Sequence, residues 1–165
     1  AGRIQALKAS TGRERHGALR EELANAMMEH CSVQRTEEGL TRCREQVLTL
    51  RARYRELGID DHGAVFNSDL LEALELGFMI DYSLVQIEGA LVRRESRGAH
   101  LRMDGPDGGQ MPRDDAGWLK HTYATLAEDG RVSLDFAPVY LAHEHPEDGW
   151  DEEIRTRMKP KERKY

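Results

Sequence analysis

The sequence predicts a mainly α fold: an antiparallel three-helix bundle, then an irregular loop and a small β-hairpin. Apolar residues recur at steps of three and four in three separate stretches before residue 95. Glycine and proline crowd the segment after residue 102. Two alternating apolar runs then flank an Asp-Gly pair, the pattern of a tight hairpin.

The first helix is predicted over His16–His30, where Leu19, Leu23, Ala26 and Met27 share one face. Cys31 to Arg35 read as a connection. Thr36 is placed to cap the second helix, because its hydroxyl can accept from a free amide of the first turn. Leu40, Cys43, Val47, Leu50, Tyr54 and Leu57 then form a heptad-type seam, with charged residues around it. Gly58 is expected to end this helix in a left-handed conformation.

The third helix is predicted over residues 70–94, with Asn67, Ser68 or Asp69 as its cap. Its stripe is Leu70, Ala73, Leu74, Gly77, Ile80, Leu84, Ile87 and Leu91. Gly77 allows a neighbouring backbone to approach closely. Short joins between three such helices favour a spectrin-repeat-like bundle.

Residues 103–117 hold four glycines and two prolines, so neither helix nor strand is expected there. Thr122, Ala124 and Leu126, then Val132, Leu134 and Phe136, alternate on either side of Asp129-Gly130. An isolated hairpin is marginal in water, so this one has to lean on the bundle or on another chain. The tail from His143 is charged and expected to be extended. The chain thus reads as residues 1–102, the bundle, and residues 103–165, the loop, hairpin and tail packing on it, together one domain.

The composition narrows the function. Of 165 residues, 39% are hydrophobic, 33% charged and 6% aromatic, as in helices with one apolar stripe. The net charge of −6 excludes a general nucleic-acid binder, which needs a basic surface to neutralise phosphates. Apolar runs of a few residues do not span a bilayer. Cys31 and Cys43 have no CxxC partner and read as reduced, half-buried thiols of an intracellular protein. The opening Ala1-Gly2-Arg3, without Met, is what a domain cut from a longer polypeptide would show.

Arg93, Arg94, Arg97, His100 and Arg102, with Glu95 among them, place five potential cations near one carboxylate. One reading is an anion or carboxylate site at a helix end. The other is a basic C-terminus, favoured by the helix dipole, held in salt bridges with Asp114-Asp115. Gly98 follows as the helix stop. His143, Glu144 and His145 lack an evident third metal ligand. Ser96 lacks a hydrolase elbow, and no glycine-rich phosphate or dinucleotide loop is present. The sequence contains no self-contained active site.

Five blocks in order resemble the C-terminal domain of the succinate dehydrogenase / fumarate reductase flavoprotein subunit. They are Ala18–Leu23 with Met27-Met28, Val33 and Arg35-Thr36, then Phe66–Leu76, Glu95–His100 with Arg102 and Asp104, Arg113-Asp114-Asp115, and Trp118–Thr122. The end Glu162-Arg163-Lys164-Tyr165 is similar to the natural terminus of such subunits. The glycine-rich Gly105–Pro112 stretch is longer than the family usually carries.

The resemblance implies a parent oxidoreductase of electron transport and the tricarboxylic acid cycle, converting succinate to fumarate with electrons passed to FAD and then to iron–sulfur clusters. The flavin-binding domain, its histidine link and the mobile capping domain would precede Ala1. This chain is then expected to bind no cofactor or metal, to hold no catalytic residue and to be inactive in isolation. Its role would be structural, with Arg93, Arg94, Glu95, Arg97, His100, Trp118 and His121 serving docking. Implied partners are the FAD domain of the same subunit and the iron–sulfur subunit, without nucleic acid or direct membrane insertion. The implied location is cytoplasmic, peripheral at the inner face of the cell membrane through partner subunits. Alternatives are the similar domain of L-aspartate oxidase and a free-standing helical module; an isolated domain can also self-associate through its exposed apolar surface.

Overall fold

The computed structural model describes residues 2–141, 144, 145, 147 and 149–159. Its elements are α1 (Gly2–Lys8), α2 (His16–His30), β1 (Gln34–Arg35), α3 (Glu37–Arg53), α4 (Ser68–Val92), β2 (Leu101–Arg102), α5 (Asp115–Trp118), β3 (Lys120–Leu126), β4 (Val132–Pro138) and α6 (Glu152–Met158). The fold is mainly α, with one small antiparallel hairpin, as the periodicity predicts.

Helices α2, α3 and α4 pack pairwise around one core. Its members include Leu19, Leu23, Leu40, Cys43, Val47, Leu50, Ile80, Leu84 and Ile87, each at most 3% exposed. The predicted α3 seam lies inside as read, with Tyr54 at its rim donating its hydroxyl to the Ala73 carbonyl of α4 at 2.8 Å. The α4 stripe also includes Leu76, Ser83 and Ala90, which the sequence reading passed over. Thr36 caps α3, its hydroxyl accepting from the Gly39 amide at 3.0 Å. Asn67 caps α4, its side-chain oxygen accepting from the Leu70 amide at 2.7 Å.

Several expectations need correction. The regular part of the second helix stops at Arg53 and tightens into a 3₁₀ turn, Tyr54–Glu56. Gly58 is not its left-handed cap. It sits in an isolated bridge with Thr11, where an added Cβ would run into the Gly12 carbonyl. Gly12 faces the Glu56 carbonyl in the same way, so two glycines let the N-terminal segment lie against the end of the 3₁₀ turn. Gly58→Ala should therefore destabilise the protein by about 1–3 kcal/mol through overpacking; urea unfolding measures it.

Gly77 makes room for side chains and not for a backbone: the Tyr54 hydroxyl and the Arg3 guanidinium occupy the space a Cβ would take. Gly98 is not the stop of α4, which ends at Val92; its φ of +59° serves the turn that brings Arg97 against His100. The connection Cys31–Arg35 contains β1, paired in parallel with β2 through Gln34–Leu101 and Arg35–Arg102. Helix α5 starts inside the segment expected to be irregular, capped by the Asp114 carboxylate on the Gly117 amide at 2.9 Å. The tail is not extended throughout: α6 forms there, with Asp151 accepting from the Glu153 amide at 2.7 Å. Both cysteines are fully buried, not half-buried, and neither is in a disulfide. Burial pushes the Cys43 thiol up to about 12, so it stays protonated at neutral pH.

The hairpin pairs Lys120–Leu126 with Val132–Pro138, turned at Gly130 with φ +91°. Leu126 and Val132 pack against the helical core, and Arg51 of α3 donates to the Glu128 carbonyl at 2.9 Å. Most other hairpin side chains face solvent. No helix of the described residues is long and apolar enough to cross a membrane.

Candidate functional site

The cation-rich run leaves α4 at Val92 and folds back over that helix's own end. Glu95 is completely buried. Its carboxylate accepts from Arg93 Nη1 at 2.6 Å, Arg97 Nε at 2.7 Å, Arg97 Nη2 at 2.9 Å and the Asp114 amide at 2.8 Å. Burial alone would raise its pKa, but these donors outweigh burial and hold it below the ordinary 4.5. Arg97 extends the network to Asp115 at 2.6 Å, where Arg113 also donates, at 2.7 Å.

Arg93 carries the network into the hairpin. It donates to the carbonyls of Trp118 at 2.9 Å and Lys120 at 3.0 Å, and to the Thr122 hydroxyl at 3.3 Å. Its guanidinium also lies 5.3 Å from the Trp118 ring centroid. Trp118 meets Phe136 edge-on at 6.0 Å, and the Lys120 ammonium lies over both rings at 4.5 and 4.6 Å.

Arg102 is the second fully buried ion. It closes the C-terminus of α4, donating to the carbonyls of Ala90, Leu91 and Arg93 at 3.0–3.4 Å. These are carbonyls that the helix itself leaves with few partners. The same guanidinium forks onto Asp104 at 2.9 and 2.6 Å, and Asp104 accepts from the Glu37 amide at the start of α3. One arginine–aspartate pair thus joins the end of α4 to the beginning of α3. Exposed Arg94 reaches Glu37 at 2.7 Å from the other side.

His100 has a defined tautomer. Arg35 Nη1 is only a donor, so Nδ1 at 2.8 Å accepts; Nε2 then carries the hydrogen to the Arg93 carbonyl at 3.0 Å. Burial lowers its pKa from the ordinary 6.5, and neighbouring Arg35 acts in the same direction. The unfolded chain therefore binds a proton that the folded one refuses. Stability should be full above pH 6.5 and fall as the pH drops from there towards the lower folded value. Chemical unfolding from pH 7.5 to 5.5 should show this slope, and His100→Gln should flatten it.

The predicted site residues thus separate. Arg93, Glu95, Arg97 and His100 are drawn together, with their ionic groups engaged inside the chain. Arg94 and His121 are exposed, and Trp118 is half-buried on the hairpin. His121 lies 6.4 Å from the Tyr123 ring. Of the expected salt bridges to Asp114-Asp115, the run makes Arg97–Asp115; Asp114 gives its amide to Glu95 and its carboxylate to the α5 cap, and the main counter-charges are Glu95 and Asp104. Arg35 and Glu37 were not read as members of the network, because their partners His100, Arg94 and Asp104 lie 57 to 67 positions away along the chain. No group of three or more His, Cys, Asp or Glu able to hold a metal occurs among the described residues. His145 pairs with Glu147 and stacks on Tyr140, while His143 and the Glu162–Tyr165 block lie outside the described residues.

Residues 20–165 match the family described as fumarate reductase flavoprotein C-term. The chain belongs to this family. A succinate dehydrogenase flavoprotein subunit of Rickettsia bellii is 39% identical over 139 residues, covering 84% of this chain and 22% of that protein. A fumarate reductase flavoprotein subunit of Haemophilus influenzae is 33% identical over 144 residues, covering 87% of this chain and 23% of that protein. A solved Escherichia coli quinol fumarate reductase superposes with a TM-score of 0.78 at 35% identity, over 84% of this chain and 23% of that one. The chain spans about a fifth of the length of the curated relatives it matches. It is a C-terminal domain of a succinate dehydrogenase / fumarate reductase flavoprotein subunit, and the five sequence blocks pointed to the right family.

Proposed function

We propose that this domain is the scaffold of an FAD-dependent succinate-oxidising or fumarate-reducing subunit, and that it contributes structure and docking, not chemistry. The observation that carries this reading is the family match over residues 20–165. The buried network supports it: Glu95 and Arg102 are spent on internal partners, leaving neither a free base nor a free cation at the helix end. In this reading residues 1–102 form the bundle, residues 103–165 lean on it, and FAD is held by the rest of the subunit. The iron–sulfur subunit meets the surface around Arg94, Trp118 and His121, while Arg93, Glu95, Arg97 and His100 hold that surface in shape. Membrane association is peripheral, through partner subunits.

Co-expression of the complete flavoprotein subunit with its iron–sulfur partner tests the docking role. The combined variant Arg94→Ala, Trp118→Ala, His121→Ala should retain flavin yet lose most of the co-purifying iron–sulfur subunit. Unchanged co-purification would reject this surface as the contact.

A further inference from the structure

Arg3 of α1 is held in place without an anionic partner. Its guanidinium fills the space that a Cβ on Gly77 would take, beside the Tyr54 hydroxyl, and lies 5.1 Å from the Phe78 ring centroid. These contacts fix the position of the group and leave its N–H donors unused. Among the described residues the Arg3 side chain has no hydrogen bond or ion pair, and neither has that of Arg55.

Both side chains line one cavity of about 240 Å³, together with Tyr54, Arg51, Asp81 and Glu128. Asp81 neutralises Arg51, whose Nε lies 3.2 Å from its carboxylate, and Arg51 also donates to the Glu128 carbonyl at 2.9 Å. The Glu128 carboxylate has no ion pair among the described residues. The walls therefore present two free guanidiniums and one free carboxylate, an excess of one positive charge. Tyr54 is fixed by its bond to the Ala73 carbonyl and gives the cavity a rigid aromatic side. No residue of the Glu95 or Arg102 networks lines it.

We propose that this cavity is a binding site for a compact oxyanion, the carboxylate or phosphate group of a small molecule, held between Arg3 and Arg55. A guanidinium offers paired N–H donors in a planar fork that fits either group. The cavity is smaller than the roughly 300–1,000 Å³ of sites for drug-sized ligands, so it suits a small acid or phosphate and not a nucleotide. Arg3 is already positioned by Gly77 and Phe78, so binding costs it little side-chain freedom. Arg3 and Arg55 are both exposed, and a ligand reaches them without any opening of the fold.

The complete, flavin-loaded subunit provides the test. It is titrated with inorganic phosphate and, separately, with glutarate, the ionic strength being held constant with potassium chloride, and NMR line broadening of each ligand follows binding. At least one of the two should bind with a dissociation constant on the order of 1–10 mM. The double variant Arg3→Gln, Arg55→Gln should weaken that binding about tenfold, because it removes both charged donors. Glu128→Gln removes the opposing charge and should tighten it about threefold. The ratio of the two affinities shows whether phosphate or carboxylate is preferred. Absence of binding by either ligand at roughly 50 mM would overturn the proposal. So would binding that either set of substitutions leaves unchanged. Flavin absorbance reports that each variant is folded, so a yellow subunit that binds neither ligand refutes this site and leaves the family reading intact.

Discussion

Glu95→Ala should be among the most damaging single substitutions in the chain, costing about 3–5 kcal/mol, the range for breaking a buried ion pair. The carboxylate is wholly inaccessible and accepts from two arginines and the Asp114 amide. Its removal leaves the Arg93 and Arg97 charges facing one another, and Arg97 keeps only Asp115 as counter-charge. For a domain of this size the midpoint of thermal unfolding should fall by roughly 6–20 °C. Glu95→Gln keeps the volume but not the charge, and should recover only part of the loss. Arg94→Ala, which breaks an ion pair between two exposed side chains, should change stability by less than about 1 kcal/mol. Similar losses for Glu95→Ala and Arg94→Ala would show that burial does not set the strength of this network. Because its donors hold Glu95 below 4.5, its contribution should be present above that pH and disappear as acid protonates it.

Arg102→Met is the second large effect, about 3–5 kcal/mol. Methionine roughly fills the apolar volume but leaves the Ala90 and Leu91 carbonyls and the Asp104 carboxylate without their donor. Arg102→Lys should help little, since a single ammonium cannot fork onto Asp104 and reach the helix end together. The loss should be local as well as global. Amide exchange in the last turn of α4 and the first turn of α3 should accelerate, because this side chain bridges them through Asp104 and the Glu37 amide. Unaltered exchange there would contradict the bridging role.

The sequence showed the three long helices well because their signal is local, but not the short α1, α5 and α6. Period, cap and stop lie within a few residues, so His16–His30 was read to its ends and the α3 seam in full. What escaped depends on distant partners. Strands β1 and β2 have two residues each and exist only because Val33–Arg35 meets Leu101–Met103 across the fold. Gly58 looked like a helix cap because its reason, the Gly12 backbone, lies 46 positions earlier. The charge run from Arg93 was legible as a cluster, but not which members would be buried. Glu95 and Arg102 are fully enclosed, while Arg94, next to Glu95, is exposed, a distinction set by how the chain turns after Val92.

Flavin content is the measurement that bears most directly on the account as a whole. Residues 1–165, purified and mixed with FAD, should emerge from gel filtration colourless and fail to reduce a dye with succinate. The same residues within the complete subunit should travel with stoichiometric yellow flavin. If residues 1–165 alone retain flavin or oxidise succinate, the chemistry resides in this domain and its assignment as a scaffold is wrong.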